Sequence, residues 1–141
     1  MTAFVDTNVL VRHVTGDPPD QAQRATRFLE RAEALLLADL ILAEVAHVLK
    51  SYYEAPRPAI AGVLRAILAF PSIQVVDRDL LQRAVEVYEH DRLDFADSYL
   101  VASAERTGVG TIASCDRSID RVTTVRRVEP GRTGLIRPDP A

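Results

Sequence analysis

Short apolar runs alternate with longer stretches of helical periodicity along this chain, and that alternation most constrains its fold. A strand that is covered on both faces reads as a continuous apolar run, without the alternation of a half-exposed strand. Strands that alternate with helices are typical of a parallel sheet. We therefore predict an α/β fold with a central parallel sheet of about five strands, at residues 3–6, 35–38, 73–76, 109–113 and 123–128.

The stretches between these runs carry the start and stop signals of helices. Asp39 is placed to cap the third helix, and Asp77 or Asp79 to cap the fifth. Thr7 is predicted to cap the first, and Gly108 stands where the last should end. The predicted helices cover residues 7–14, 21–33, 39–53, 59–70, 77 or 79 to 89, and 94–106.

The composition is that of an ordinary globular domain. The chain has 141 residues, with 48% hydrophobic and 26% charged residues, which fits one domain at residues 1–130 and an irregular tail at 131–141. It has no apolar run long enough to span a membrane and no secretory signal pattern, and its one cysteine cannot form an internal disulfide. We therefore expect a cytoplasmic protein. The net charge of −3 excludes bulk electrostatic attraction to nucleic acid but not local patches.

Acidic side chains occur close to the ends of the predicted strands. Because the strands are parallel, their carboxyl ends open on one edge of the sheet, where ligands bind. Asp6 follows the first predicted strand and Asp116 follows the fourth. Glu44 lies one turn into a helix among apolar neighbours, where a carboxylate needs either solvent or a partner. Asp94 and Asp97 are three residues apart and share one face at the start of a later helix.

These carboxylates have two interpretations. Taken singly, Asp94 and Asp97 are favourable at a helix start, and Asp6 and Asp116 are ordinary loop residues. Taken together, converging carboxylates repel one another, and a bound divalent cation removes that conflict. Ligation by oxygen alone favours Mg²⁺ or Mn²⁺, which activates water and stabilises a leaving oxygen. The combination therefore predicts metal-dependent hydrolysis of a phosphodiester.

Four segments together resemble the PIN-domain family, and within it the VapC-like ribonuclease toxins of toxin–antitoxin pairs. They are FVDTNVLV at the start, LAEVAHVL in the third helix, LDFADSYLVASA in the last helix, and TIASCDRSID after the fourth strand. The resemblance covers about residues 3–128. It places the acidic positions of the family on Asp6, Glu44, Asp97 and Asp116, and an extra one on Asp94. It also makes Asn8 and Ser114 supporting polar residues.

The resemblance implies a three-layer α/β/α sandwich and a metal-dependent endoribonuclease that acts on RNA. It also implies frequent homodimers and a small antitoxin protein whose C-terminal segment enters the active-site groove. One alternative is a non-catalytic interaction module with the same fold. A haloacid-dehalogenase-type phosphatase is a further alternative, but it needs a second acid where the chain has Asn8, and a downstream lysine unlike the solitary Lys50.

Three further features have open interpretations. The segment at residues 59–70 is apolar on most faces and follows the pair Tyr52–Tyr53, which favours a homodimer over a deeply packed helix. The three histidines are too scattered to form a metal site, and Cys115 is interpreted as an ordinary small side chain. RNA binding by an acidic chain needs local positive charge, for which the candidates are Arg12, Arg24, Arg27, Arg117 and Arg121.

Overall fold

Helices and short strands alternate through residues 2–131, which are the part of the chain that this computed structural model describes. The fold is α/β, as predicted, and each element lies within a few residues of its predicted position. The tail that was predicted to be irregular falls outside the described residues, apart from Gly131. The elements are β1 (Thr2–Phe4), α1 (Thr7–Thr15), α2 (Pro19–Arg31), β2 (Ala34–Leu36), α3 (Asp39–Ser51), α4 (Arg57–Ala69), β3 (Ile73–Gln74), α5 (Arg78–His90), α6 (Phe95–Thr107), β4 (Thr111–Ala113), a 3-10 helix (Arg117–Arg121) and β5 (Arg126–Val128).

All strand pairs are parallel, but the strands form two sheets and not the single predicted sheet. One sheet has the order β1-β2-β3, with Ala3 opposite Leu35 and Leu35 opposite Ile73. The other joins β4 to β5, with Ile112 opposite Arg127. Each of these strands is only two or three residues long and is already bonded on one side. A further pairing of β1 with β4 would therefore add few hydrogen bonds, and none forms in the described part of the chain.

The hydrophobic core is divided in the same way. The larger cluster packs the β1-β2-β3 sheet against α1, α3, α4 and α5, and Leu35, Leu42 and Leu64 are fully buried in it. The smaller cluster joins α5 and α6 to β4 and the 3-10 helix, around Leu93 and Ile119. Helix α5 contributes to both clusters, because its buried residues include Leu81 on one side and Val87 on the other.

Two of the four predicted helix caps are found in the structure, and two are not. Asp77 caps α5 by accepting a hydrogen bond from the backbone N–H of Leu80 at 3.1 Å, and Gly108 ends α6 at a φ of +77°. Asp39 does not cap α3, because it is the first helical residue. Its carboxylate instead accepts a hydrogen bond from the hydroxyl of Tyr99, which raises the pKa of Tyr99 to about 12. Thr7 is not the cap of α1 either, since that position belongs to Asp6.

The apolar helix α4 is packed inside the chain to a large extent. Its buried residues are Ile60, Ala61, Leu64, Ile67 and Leu68, whereas the exposed positions at 59, 62, 66 and 69 hold only alanine or glycine. The apolar character of α4 is therefore explained by the core. No helix within residues 2–131 has the length and apolarity to cross a membrane.

Arg57, at the start of α4, holds the turn between α5 and α6. Its guanidinium donates to the backbone oxygens of Tyr88 and Leu93, both at 2.7 Å, and lies 4.4 Å from the centre of the Tyr88 ring. The oxygen of Tyr88 belongs to the last turn of α5, where carbonyl groups lack helical partners. Arg57 therefore fixes the chain immediately before Asp94.

Candidate active site

The start of α6 brings two of the predicted acids together. Asp97 lies in the first turn of α6, and Asp116 follows β4 as the residue before the 3-10 helix. Burial raises the pKa of Asp97, and so do its hydrogen bond to Asp116 and the negative charges of Asp116 and Asp94. Asp116 therefore disfavours the charged form of Asp97.

Asp116 is held in position by the loop after β4. Its Oδ1 accepts a hydrogen bond from the backbone N–H of Ser118 at 2.9 Å, and its own N–H donates to Oγ of Ser114 at 3.0 Å. The hydrogen bonds to Ser118, then that to Asp97 and the charge of Arg121, lower the pKa of Asp116. Ser114 thus contacts the backbone of Asp116, which is consistent with the supporting role predicted for it.

Glu44 and Asp94 line a cleft between α3 and the start of α6. The cleft has a volume of about 620 Å³. Glu44 is exposed and makes no hydrogen bond or ion pair within residues 2–131, so it reaches solvent as its sequence setting allows. Asp94 accepts a hydrogen bond from Nζ of Lys50 at 2.7 Å across the cleft, and its side chain makes no cap bond to α6. Both partners are more than half exposed, so the pair stabilises the fold little.

The third group of predicted site residues lies at the start of α1. Asp6 and Asn8 are exposed, and neither side chain makes a hydrogen bond or an ion pair in the described part of the chain. Between them, Thr7 is buried, and its Oγ1 has no hydrogen-bond partner within residues 2–131. A buried hydroxyl without a partner is costly, and such atoms often mark a position that a ligand completes.

The predicted acids therefore occupy three neighbourhoods. Asp97 interacts with Asp116 and with the charge of Asp94, Glu44 and Asp94 share a cleft, and the Asp6 side chain makes no hydrogen bond or ion pair within residues 2–131. Within residues 2–131, no three histidine, cysteine or acidic side chains are grouped closely enough to hold a metal ion. Asp6 follows β1 in one sheet, and Asp116 follows β4 in the other.

The chemistry of the Asp97–Asp116 pair is suited to a hard divalent cation. Both donors are carboxylates, which such cations prefer, and burial together with the charges of Asp116 and Asp94 raises the pKa of Asp97. Glu44 adds a free carboxylate in the neighbouring cleft. These carboxylates therefore fit a divalent cation, with Asp97 and Asp116 as its main candidate ligands.

Of two basic residues near these acids, Lys50 was assigned no role from the sequence, and Arg121 was predicted only as a candidate for RNA binding. Lys50 lies in the last turn of α3 and supplies the counter-charge of Asp94. Its spacing from Glu44 and His47, at three-residue steps, already places it on the same helix face. Arg121 lies close enough to Asp116 to lower its pKa, and its Nη1 donates to the backbone oxygen of Arg92 at 3.0 Å. No spacing signal could have found the Arg121 contact.

The structure places two of the histidines and the cysteine in different environments. His47 lies on the exposed face of α3 beside Glu44, where its ring nitrogen is 3.5 Å from Oγ of Ser51. His13 is partly buried, where its ring contacts Oγ1 of Thr26 at 2.7 Å and packs edge-on against Phe70. Cys115 is exposed and free.

Comparison with known protein families gives one match over most of the chain. The PIN domain family pattern matches residues 3–125. Among solved structures, the fold is similar to that of VapC20 from Mycobacterium tuberculosis, a toxin that cleaves the sarcin–ricin loop. The two chains are 20% identical, and the match covers 77% of this chain and 85% of that chain with a TM-score of 0.40. No curated protein sequence matches the chain. Because the family pattern spans most of its length, the chain belongs to the PIN-domain family.

Proposed function

We propose that this protein is a metal-dependent endoribonuclease that hydrolyses phosphodiester bonds of RNA in the cytoplasm. The contact between Asp97 and Asp116 at the carboxyl end of β4 carries the proposal, because it concentrates negative charge at a sheet edge where α/β folds bind ligands. Membership of the PIN family supports the same activity. It also removes the haloacid-dehalogenase-type phosphatase from consideration.

The proposed catalytic set is Asp6, Glu44, Asp97 and Asp116, with Asp94 as an additional metal-binding acid. When bound, Mg²⁺ or Mn²⁺ supplies positive charge to the scissile phosphate and lowers the pKa of a water molecule. Asp97 and Asp116 would hold the cation through their carboxylate oxygens. Asn8 and Ser114 act as supports, and Ser114 does so by fixing the backbone of Asp116.

Removal of the metal provides the direct test of this function. We expect the purified protein to cleave total cellular RNA in the presence of Mg²⁺ or Mn²⁺, and an excess of EDTA to abolish cleavage. RNA fragments are resolved on denaturing gels, and readdition of the cation should restore the pattern. Cleavage that persists unchanged in EDTA would exclude the proposed role of the metal.

A non-catalytic interaction module is the second candidate, and metal binding separates it from a nuclease. Titration calorimetry of Mn²⁺ into the protein and into the double variant Asp6→Asn/Asp116→Asn compares the two. A nuclease should bind Mn²⁺ more weakly once both carboxylates are removed. Equal binding by both proteins would favour the inert module, since exposed acids that hold no metal leave binding unchanged.

We also propose that the protein is the toxin of a toxin–antitoxin pair and that a small antitoxin protein is its partner. The support is the resemblance to VapC-like toxins and the partly apolar cleft beside Glu44, whose walls include the exposed Leu40. Induction in a bacterial host should arrest growth, and co-expression of the small reading frame adjacent to its gene should restore it. Normal growth during strong expression of active enzyme would contradict the toxin role.

We further propose that the protein assembles as a homodimer. Helix α4 offers it little support, because its large apolar residues are buried in the core. The pair Tyr52–Tyr53 is a better candidate, since Tyr52 is 77% exposed and its ring lies 5.0 Å from that of the partly buried Tyr53. Sedimentation velocity should give the mass of a dimer at micromolar concentration, and Tyr52→Ser should shift it toward monomer. A monomer for the unchanged chain would refute this assembly.

A further inference from the structure

A groove between α1 and α2 combines unpaired positive charge with an exposed aromatic ring. It has a volume of about 460 Å³ and lies outside the acidic neighbourhoods described above. We call it the α1–α2 groove. It is lined by Val9, Arg12, Gln21, Arg24, Ala25 and Phe28.

The two arginines of the groove lack the partners that most other basic residues have. Within residues 2–131, neither Arg12 nor Arg24 makes an ion pair or a side-chain hydrogen bond, and no acidic residue lines the groove. Eight basic residues elsewhere are engaged within residues 2–131. Lys50, Arg65, Arg83, Arg106 and Arg127 pair with carboxylates, and Arg57, Arg78 and Arg121 donate to backbone oxygens. In a chain of net charge −3, this groove is therefore a local positive site.

The spacing of α2 extends this positive charge along its exposed side. Arg24, Arg27 and Arg31 follow one another at intervals of three and four residues, so they share a face of the helix. None of them forms an ion pair within the described residues. Phe28 lies on the same turns with 37% of its surface exposed, so part of its ring faces the groove.

The groove begins close to the candidate active site. Arg12 follows Asp6 by six residues on α1, which corresponds to about 9 Å along the helix axis. Asn8, which precedes Arg12 by four residues, lies on the same face of α1. A ligand bound at Arg12 can thus extend along α1 toward Asp6.

We propose that the α1–α2 groove binds a single-stranded segment of the RNA substrate, an assignment that rests on the proposed endoribonuclease function. Arg12 and Arg24 contact backbone phosphates, and the ring of Phe28 stacks on a base. An acidic peptide would complement the two guanidinium groups but would make no use of the aromatic ring in the same groove. Single-stranded RNA complements both, because each nucleotide carries a phosphate and a flat apolar base.

Salt-dependent binding measured without cleavage tests the phosphate contacts. Fluorescence anisotropy of a labelled single-stranded RNA in EDTA gives the dissociation constant over a series of monovalent salt concentrations. Each phosphate contact contributes roughly 0.7 to the slope of log affinity against log salt for single strands. Arg12→Ala/Arg24→Ala should therefore weaken binding and flatten this slope by about 1.4.

Phe28→Leu tests the stacking contact separately. Leucine keeps the apolar volume but removes the aromatic face, so affinity should fall by about tenfold while the salt slope stays unchanged. A slope that changed with Phe28→Leu as much as with the arginine variant would overturn the division of roles.

Arg126→Ala is the matched control for overall charge. Arg126 is exposed on β5, forms no ion pair within residues 2–131, and lies outside the groove. Its removal should change affinity much less than Arg24→Ala alone. Equal effects of the two, or unchanged binding by Arg12→Ala/Arg24→Ala with an unchanged melting temperature, would overturn the proposal.

The groove assignment and the nuclease assignment can fail independently of each other. If the protein cleaves RNA with Mg²⁺ but the groove variants bind RNA normally, the groove assignment fails and the nuclease assignment stands. If the groove variants lose RNA binding although the protein never cleaves, the groove assignment stands and the nuclease assignment fails. Selective loss of binding to a protein partner, with RNA binding intact, would show that the groove serves that partner and would overturn the RNA assignment.

Discussion

Asp97→Asn is expected to lower RNA cleavage by at least about 100-fold while the chain remains folded. Loss of a residue that only supports a metal ligand typically costs 10–100-fold in affinity or activity, so loss of a direct ligand should cost at least as much. Asparagine keeps the size of the side chain and removes its charge. Initial rates on a fluorogenic RNA substrate with saturating Mg²⁺ measure the effect.

The same variant should not destabilise the fold. The folded-state pKa of Asp97 is raised above the ordinary value of 3.8, so ionisation of Asp97 lowers the stability of the metal-free protein as the pH rises above that value. Asparagine removes this cost at neutral pH. Urea unfolding in EDTA should show a midpoint for Asp97→Asn equal to or above that of the unchanged chain.

Asp79→Asn is the matched control for helix position and charge. Asp79 lies in the first turn of α5 as Asp97 lies in the first turn of α6, but it is exposed and has no contact with Asp116. Both variants lose a favourable charge at a helix start, worth about 0.3–1 kcal/mol. Only Asp97→Asn should lose cleavage. Full activity of Asp97→Asn would eliminate the proposed catalytic scheme.

Arg57→Met is expected to lower the free energy of unfolding by about 3 kcal/mol, a large part of the stability of a domain of this size. The change removes two hydrogen bonds from a charged donor, each worth about 1.5–3 kcal/mol, and leaves the oxygens of Tyr88 and Leu93 without that donor. Methionine retains much of the apolar contact of the arginine stem. The midpoint and slope of urea denaturation give the difference.

Arg65→Met on the same helix is the control for this variant. Arg65 is exposed and bonds to Glu89 on α5 at 2.9 Å, so it forms a surface ion pair in place of backbone contacts. Such pairs contribute about 0–1 kcal/mol. If the two variants lost similar stability, Arg57 would not be the residue that fixes the α5–α6 turn.

The alternation of apolar runs and helices was sufficient to predict the class of the fold and the order of its elements. Local signals in the chain carry this information, such as the cap at Asp77 and the glycine that ends α6 at Gly108. The division into two sheets could not be predicted, because strands of two or three residues hold too little pattern to say which edges pair. Asp39 was misassigned as a cap because its partner, Tyr99, is sixty residues away in the sequence.

The candidate site was only partly predictable, for the same reason. The contact of Asp97 with Asp116 follows from where each lies relative to its strand or helix, and the structure contains it. That Asp6 and Asp116 follow strands of different sheets could not be predicted. Which arginines are free was also beyond the sequence. Arg121 and Arg24 look alike in the chain, yet one is engaged with a backbone oxygen and the other faces an open groove.

The two separate cores have a consequence for how this protein fluctuates. Regions with independent apolar clusters tend to open as separate cooperative units, at free energies below that of global unfolding. The unit with β4 and the 3-10 helix carries Asp116, and the unit with β1 carries Asp6. Local opening between the two regions would move Asp6 and Asp116 apart while each region kept its native fold. A cation bound by both Asp6 and Asp116 would link the two regions. Amide hydrogen exchange at Ile112 and Ile119 should therefore slow when Mn²⁺ is added.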